Sequence, residues 1–299
     1  MPKDCFLETN IDDTHNNLLR LFSFFDIFNY PLTFWEIKGY LFSLTSLNNL
    51  YLIDALKDLK EKKIVEEKNG FYFLKNREEL INIRLNRYNF SQKKIKKAKK
   101  FIKIFSLFPC IKMIALVNSI GSFNLKEGGD IDFFIIAKQD RVWLTRLYCT
   151  GIAKILNSRP KKGNKKDKIC LSFYLGDKEL NLNSLKLKNG DPYFDIWQKD
   201  MLVLFERHNI KELFLKENSI SENKLSNNLK SELSLLKIFD KLSQKLQLII
   251  MPKNLKQAAE LKEGVVIDRN ILKFYLEDKR LFIKEKYEEK FRKITTTYN

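Results

Sequence analysis

"MIALVNSIGSFNLKEGGDIDFFII", Met113 to Ile136, sets two aspartates, Asp130 and Asp132, at the opening of an apolar run with the composition of a buried β-strand. Side chains at i and i+2 of a strand project from the same face, so the two carboxylates stand side by side. Carboxylates held that close repel, and both stay ionised only when positive charge sits between them. A greasy strand that begins with two adjacent acids needs a reason, and the flanking sequence supplies one.

Before this stretch, "KMIALVNS" predicts a strand that ends near Val117, joined to "DIDFFIIAK" by a polar, glycine-containing connection. After it, "RVWLTRLYCTGIAKIL" has the length and period of a helix, and "KICLSFYL" is another apolar run of strand length. A basic loop, "SRPKKGNKKDK", leads into that last strand and reads either as a solvated surface or as an arm that tracks phosphates. The order strand, loop, strand, helix, strand specifies an α/β (α+β) fold with a small mixed sheet and flanking helices.

These residues resemble the nucleotidyltransferase superfamily that includes DNA polymerase beta and the small bacterial nucleotidyltransferases. The family signature is a strand ending in Gly-Ser, about ten intervening residues, and Asp-x-Asp opening the next strand. Ten residues separate Asn118-Ser119 from Asp130, and only seven separate Gly121-Ser122 from it, so Asn118 and Ser119 take the place of the signature dipeptide. The family's glycine is then an asparagine, a residue type that tolerates left-handed backbone angles. The resemblance implies that Asn118 and Ser119 form a phosphate-binding turn and that Asp130 and Asp132 are catalytic and hold magnesium, or manganese in its place. Hard cations take carboxylate oxygens, and in-line displacement at phosphorus needs charge neutralised on the attacking and leaving oxygens. It further implies a nucleoside triphosphate as substrate and an unidentified hydroxyl acceptor. Active members carry a third carboxylate on a later strand, whereas "ICLSFYL" holds none; Asp167 precedes the run, Asp177 and Glu179 follow it, and Ser172 lies inside it. That departure keeps open a second reading, a non-catalytic nucleotide- or nucleic-acid-binding protein on the same fold.

Toward the N-terminus, "NNLLRLFSFFDIF" reads as a helix stopped by Pro31, and Thr33 with Glu36 has the spacing of a capping box that begins a second helix. Leu52, Ala55, Leu56 and Leu59 recur at helical spacing in a third helix, and "IVEEKNGFYFLK" reads as a hairpin about Asn69-Gly70. Helix, helix, helix, hairpin is the order of a winged helix-turn-helix. Asp54, Asp58 and Glu61 on its third helix would face phosphates in a major groove, which favours packing or protein contacts over DNA reading.

A long helix from about Arg77 to Phe108 follows, with Ile95, Ala98, Ile102 and Phe105 as its apolar stripe and seven lysines between Lys93 and Lys103. The usual meaning of such a run is a solvated face; the alternative is positive potential near the paired aspartates. Beyond residue 185, Asp191 and Pro192 suit a helix start, "ENSISENKLSNNLK" reads as a linker, and "RNILKFYLEDKRLFIKEKYEEKF" after Asp268 reads as one long amphipathic helix. The expected divisions are a winged-helix-like domain over 14–76, the long helix and nucleotidyltransferase-like domain over 77–185, and a mostly helical region over 186–299.

The 55 Lys and Arg against 37 Asp and Glu leave a formal charge of +18, which favours polyanionic partners without defining a site. Hydrophobic residues at 44% and aromatics at 13% exclude general disorder. Four widely spaced cysteines with no C-x-x-C pair exclude a zinc or disulfide framework. No apolar run approaches the ~20 residues of a membrane span, and no signal-peptide pattern opens the chain, so a soluble cytoplasmic protein is expected. Only His15 and His208 exist and no phosphate-binding P-loop motif occurs, which removes histidine triads and P-loop chemistry from consideration.

Overall fold

The computed structural model describes residues 11–42, 49–160, 163–218, 235–261 and 264–298. In chain order the elements are α1 (Ile11–Ile27), β1 (Leu32–Thr33), α2 (Phe34–Phe42), α3 (Asn49–Glu61), β2 (Val65–Lys68), β3 (Phe71–Leu74) and α4 (Glu79–Phe105). Then come β4 (Ile111–Leu116), β5 (Ile131–Ala137), α5 (Val142–Ile155), β6 (Ile169–Gly176), α6 (Pro192–Lys199), β7 (Leu202–Glu206) and α7 (Ile210–Asn218). The chain closes with α8 (Leu235–Ile250), α9 (Lys253–Glu260), β8 (Val265–Ile267), β9 (Ile271–Phe274) and α10 (Arg280–Tyr298).

Two compact units interleave in sequence. One takes the chain up to Asn89 together with Lys186–Lys199 and Lys279–Asn299; the other takes Phe90–Leu185 and Asp200–Asp278. The first is built from α1 to α3, an antiparallel sheet of order β1-β3-β2, and the two later helices α6 and α10. Its local chemistry is direct. Thr33 Oγ1 accepts the Glu36 N–H at 3.3 Å while Glu36 Oε2 accepts the Thr33 N–H at 2.8 Å, a reciprocal cap that starts α2. Asn69 and Gly70 both have positive φ, 55° and 78°, as the two-residue hairpin turn between β2 and β3 requires. Leu52, Ala55, Leu56 and Leu59 are buried, and Asp54 and Glu61 are exposed on the opposite side of α3. In the same unit Asp191 Oδ1 accepts the Phe194 N–H at 3.0 Å and caps α6.

The second unit contains a six-stranded mixed sheet of order β7-β4-β5-β6-β9-β8. Only β5 and β6 are parallel, joined through α5; every other neighbouring pair is antiparallel. Ile95, Ala98, Ile102 and Phe105 of α4 are buried in the core of this unit with Ile114, Phe133, Ile135 and Trp143.

The expected long helix from Asp268 requires correction. Ile271 to Phe274 form β9, whose Tyr174↔Leu272 and Phe173↔Lys273 pairings extend the sheet beyond β6, and the helix begins only at Arg280. An antiparallel partner satisfies the outer edge of β6, and Leu272 becomes fully buried; that gain outweighs the helical period of the surrounding charges. Among the described residues, the region after 185 thus supplies three strands as well as helices. The expected linker lies mostly outside the described residues. Among the described residues, no helix is long and apolar enough to cross a membrane.

α8 has an inverted distribution of polarity. Asp240, Ser243 and Gln247 are buried, whereas Leu242, Leu246 and Ile249 are exposed. The buried polar face grips the start of α5: Asp240 Oδ1 accepts the Leu144 N–H at 2.8 Å, and Ser243 Oγ and Gln247 Nε2 both donate to the Trp143 carbonyl.

Candidate functional site

Three strand ends build the site. β4 delivers the chain to Asn118, Asp130 immediately precedes β5 and Asp132 is its second residue, and β6 runs parallel on the far side of β5 with Cys170 in register with Asp132. The Val117 N–H donates to the Asp132 carbonyl at 3.1 Å, which locks the end of β4 to the start of β5.

Asn118 has φ 58° and opens a single 3₁₀ turn, Asn118–Ile120. The left-handed angle turns the chain sharply off the sheet, and asparagine takes it at little cost. Gly121 instead has ordinary helical angles, φ −59° and ψ −44°. Its lack of a side chain serves packing: a Cβ there would lie 2.7 Å from the Asp200 carbonyl oxygen. Ser119 follows Asn118 half-buried, and its carbonyl accepts the Asn124 N–H at 2.7 Å, closing the turn.

Ligand atoms of Asp130, Asp132 and Cys170 lie within 4.8 Å of one another. Burial, and then the charge of Asp130, push the Asp132 carboxyl up to about 7; hydrogen bonds from Asn118 and Cys170 and the positive charge of Lys165 act in the other direction. The Cys170 thiol is pushed far up, first by burial and then by the charge of Asp132, and its Sγ lies 3.3 Å from Ser172 Oγ. Tyr275, just past β9, lies beside the site: burial, and then the charge of Asp132, raise its hydroxyl well above the ordinary phenol value. Cys170, Ser172 and Tyr275 thus surround the aspartates. In the sequence Ser172 reads only as a residue of the strand, and Cys170 as one of four widely spaced cysteines. Parallel pairing of the two apolar runs was the signal that would have placed Cys170 beside Asp132. Tyr275 was hidden inside a segment read as helix.

Lysines hold the approach to the aspartates. Lys94, buried on α4, donates to the carbonyls of Glu127 at 2.5 Å and Gly129 at 2.6 Å and lies 3.4 Å from the Asp167 carboxylate. Lys97 donates to the Asp167 carbonyl at 2.7 Å, and Lys166 pairs with Glu127 at 2.6 Å. One helix therefore ties the loop before Asp130 to the loop before β6. Lys93, Lys96, Lys99, Lys100 and Lys103 are all exposed and recur at i, i+3, i+6, i+7 and i+10, a single face of α4.

Two carboxylates whose oxygens lie within 4.8 Å of each other suit one hard divalent cation. The neutral thiol of Cys170 does not suit the same kind of ion, since magnesium takes oxygen ligands and thiolates favour soft metals. The donor set therefore fits one magnesium-type ion and not a pair of them. Compared with protein-family models, with curated proteins and with solved structures, the chain gives no match.

Proposed function

We propose that this chain is a magnesium-dependent nucleotidyltransferase that moves a nucleoside monophosphate from a triphosphate onto a hydroxyl acceptor. The observation that carries the reading is the convergence of Asp130 and Asp132 at the head of β5 with the left-handed turn at Asn118. A bound magnesium ion would supply charge neutralisation at the phosphates. Asp130 and Asp132 would hold it, and the turn at Asn118–Ile120 stands beside them, where it would receive the phosphates. Ser119 extends that turn with a hydroxyl. In the transfer the acceptor oxygen bonds to the α-phosphorus, the bond to the β-phosphate oxygen breaks, pyrophosphate leaves with the electron pair, and the hydroxyl proton passes to water.

Transfer assays with each labelled ribonucleoside triphosphate, on wild type and Asp132→Ala, test this. Product from the wild type alone is expected; equal product from both proteins overturns the assignment. Thermal unfolding with magnesium and each triphosphate reads binding separately, because a ligand of the native state raises the midpoint.

A second reading, nucleic-acid binding without transfer, is favoured by two observations. A thiol stands beside Asp132 where a third carboxylate would complete a metal pair, and five exposed lysines line one face of α4. It predicts affinity for single-stranded RNA or DNA that falls steeply with salt. Lys96→Glu/Lys99→Glu/Lys103→Glu should lower the slope of log affinity against log salt by about 2. A slope unchanged by the triple substitution removes the stripe from the interface. The three-helix, hairpin order of the first unit fits a winged-helix module, and the acids exposed on α3 favour a packing role for it.

A further inference from the structure

We infer that the exposed apolar face of α8 is a self-association surface whose occupant is α8 of a second copy of this chain. Leu235, Phe239, Leu242, Leu246 and Ile249 are each at least half exposed, between 51% and 77%. Their spacing runs four, three, four, three, which is the seam that one helix presents to another. A bilayer makes no such demand on spacing. Ile238 and Ile250 widen the stripe on its two edges.

Size supports the same occupant. Side chains of this kind and exposure each offer on the order of 100 Å², so the stripe offers on the order of 700 Å², close to the ~800 Å² per partner of a standard interface. Monomeric proteins rarely leave an apolar patch of that extent in water. The other face of α8 is fully committed: Asp240, Ser243 and Gln247 hydrogen-bond to the first turn of α5 and to each other. The helix is thus fixed with its apolar side outward, and rotating it to hide that side would strand three buried polar groups.

Charge gives the association a recognisable sign. Lys241 and Lys245 are exposed along one edge of the stripe. Pairing two copies brings like charges closer, so salt should strengthen the dimer by screening them, while the apolar seam itself is insensitive to moderate salt. Binding to an acidic helix or an anionic membrane would weaken with salt instead.

Sedimentation velocity of the full chain over a concentration series, at low and at high sodium chloride, reads this directly. Wild type should move from monomer to dimer with rising concentration, at lower concentration in high salt. Leu242→Glu/Leu246→Glu should remain monomeric with an unchanged circular dichroism spectrum and unfolding midpoint. A second variant, Leu242→Cys, should form a disulfide-linked dimer under mild oxidation, whereas a cysteine placed at Lys211 on α7 should not. A wild type that stays monomeric at every concentration overturns the inference, as does a dimer that survives the double substitution. Flotation with phosphatidylserine vesicles by a protein that remains monomeric in solution also overturns it and assigns the face to lipid.

Discussion

Cys170 stands beside Asp132 in the parallel ladder of β5 and β6, its thiol hydrogen-bonded to Ser172 Oγ at 3.3 Å and within 4.8 Å of the Asp130 and Asp132 carboxylates. The neighbour of a candidate metal ligand is therefore a neutral donor, which moderates one negative charge without adding another. This limits the site to the charge of two carboxylates, and it makes position 170 the place where metal capacity can be altered by one substitution.

Cys170→Asp should convert the pair of acids into three. Without metal, the added charge sits within a few ångströms of two others and is partly desolvated, so the unfolding midpoint should drop by several degrees, in line with about 1–3 kcal/mol of repulsion and burial. Millimolar magnesium or manganese should restore it, and titration calorimetry should show tighter or additional metal binding relative to wild type. A variant whose midpoint ignores metal would show that these three positions do not act as ligands. Cys170→Ser, which keeps a neutral donor, should leave the metal response unchanged.

Lys94 is expected to be a positioning residue, acting on Asp130 through the loop it holds. Lys94→Met removes two charge-assisted hydrogen bonds to the Glu127 and Gly129 carbonyls, a loss of about 2–3 kcal/mol. The amides of residues 126–131 should exchange with solvent faster, and the magnesium-dependent rise in midpoint with nucleotide should shrink. Lys94→Arg, which keeps the charge, should recover part of both. Unaltered exchange in that loop would show that the lysine does not organise it.

Local chemistry made much of this architecture readable in advance. The Thr33/Glu36 cap, the Asn69-Gly70 turn and the Ile95, Ala98, Ile102, Phe105 stripe each depend on residues a few positions apart, where hydrogen bonds and helical period act within one segment. Asp130 and Asp132 read as the head of a strand because strand alternation is equally local, whereas Asn118 enters through the family resemblance, and its φ of 58° is what the structure adds. What escaped was set by distant partners. β9 is only four residues long and lies between charged stretches of helical period; it is a strand because β6 presents an edge for it to pair with. Cys170 and Tyr275 reach the aspartates only through that sheet order, so their part in the site could not be read from spacing. Lys94 looked like one of seven equivalent lysines, and its burial depends on a loop more than thirty residues away.

Asp240 should make stability depend on pH with an unusual sign. Burial pushes its carboxyl up to about 6, even though the Leu144 N–H and the charge of Arg141 favour its ionised form. Unfolded, the same group titrates near 3.9. Between these values the folded state holds the proton more tightly, so this group's contribution to stability falls as pH rises from about 4 to about 6 and stays low above that. Two units correspond to an upper bound of about 3 kcal/mol. Asp240→Asn keeps an oxygen for the Leu144 N–H and abolishes the titration; the variant should be more stable than wild type at pH 8 and close to it at pH 4. Chemical unfolding at the two pH values checks this, and an equal difference at both would remove Asp240 as the cause.

Asn118 combines two demands that substitutions can separate. Its φ of 58° belongs to the left-handed region, and its side chain donates a hydrogen bond to the Asp132 carboxylate. Glycine satisfies the first demand and not the second, so Asn118→Gly should fold with a midpoint within a few degrees of wild type. Lacking that hydrogen bond, it should bind magnesium and nucleotide with altered affinity. Valine satisfies neither, because branching at Cβ clashes with the backbone at positive φ, and Asn118→Val should cost about 2 kcal/mol or more. Aspartate keeps the backbone preference but adds a third negative charge near Asp132, so Asn118→Asp should be destabilised without metal and recover with it. The order of unfolding midpoints in chelator is then expected to place glycine above aspartate and valine, with aspartate rising most on addition of magnesium. If valine matches glycine, the backbone angle at 118 is not what selects asparagine, and the hydrogen bond to Asp132 carries the choice alone.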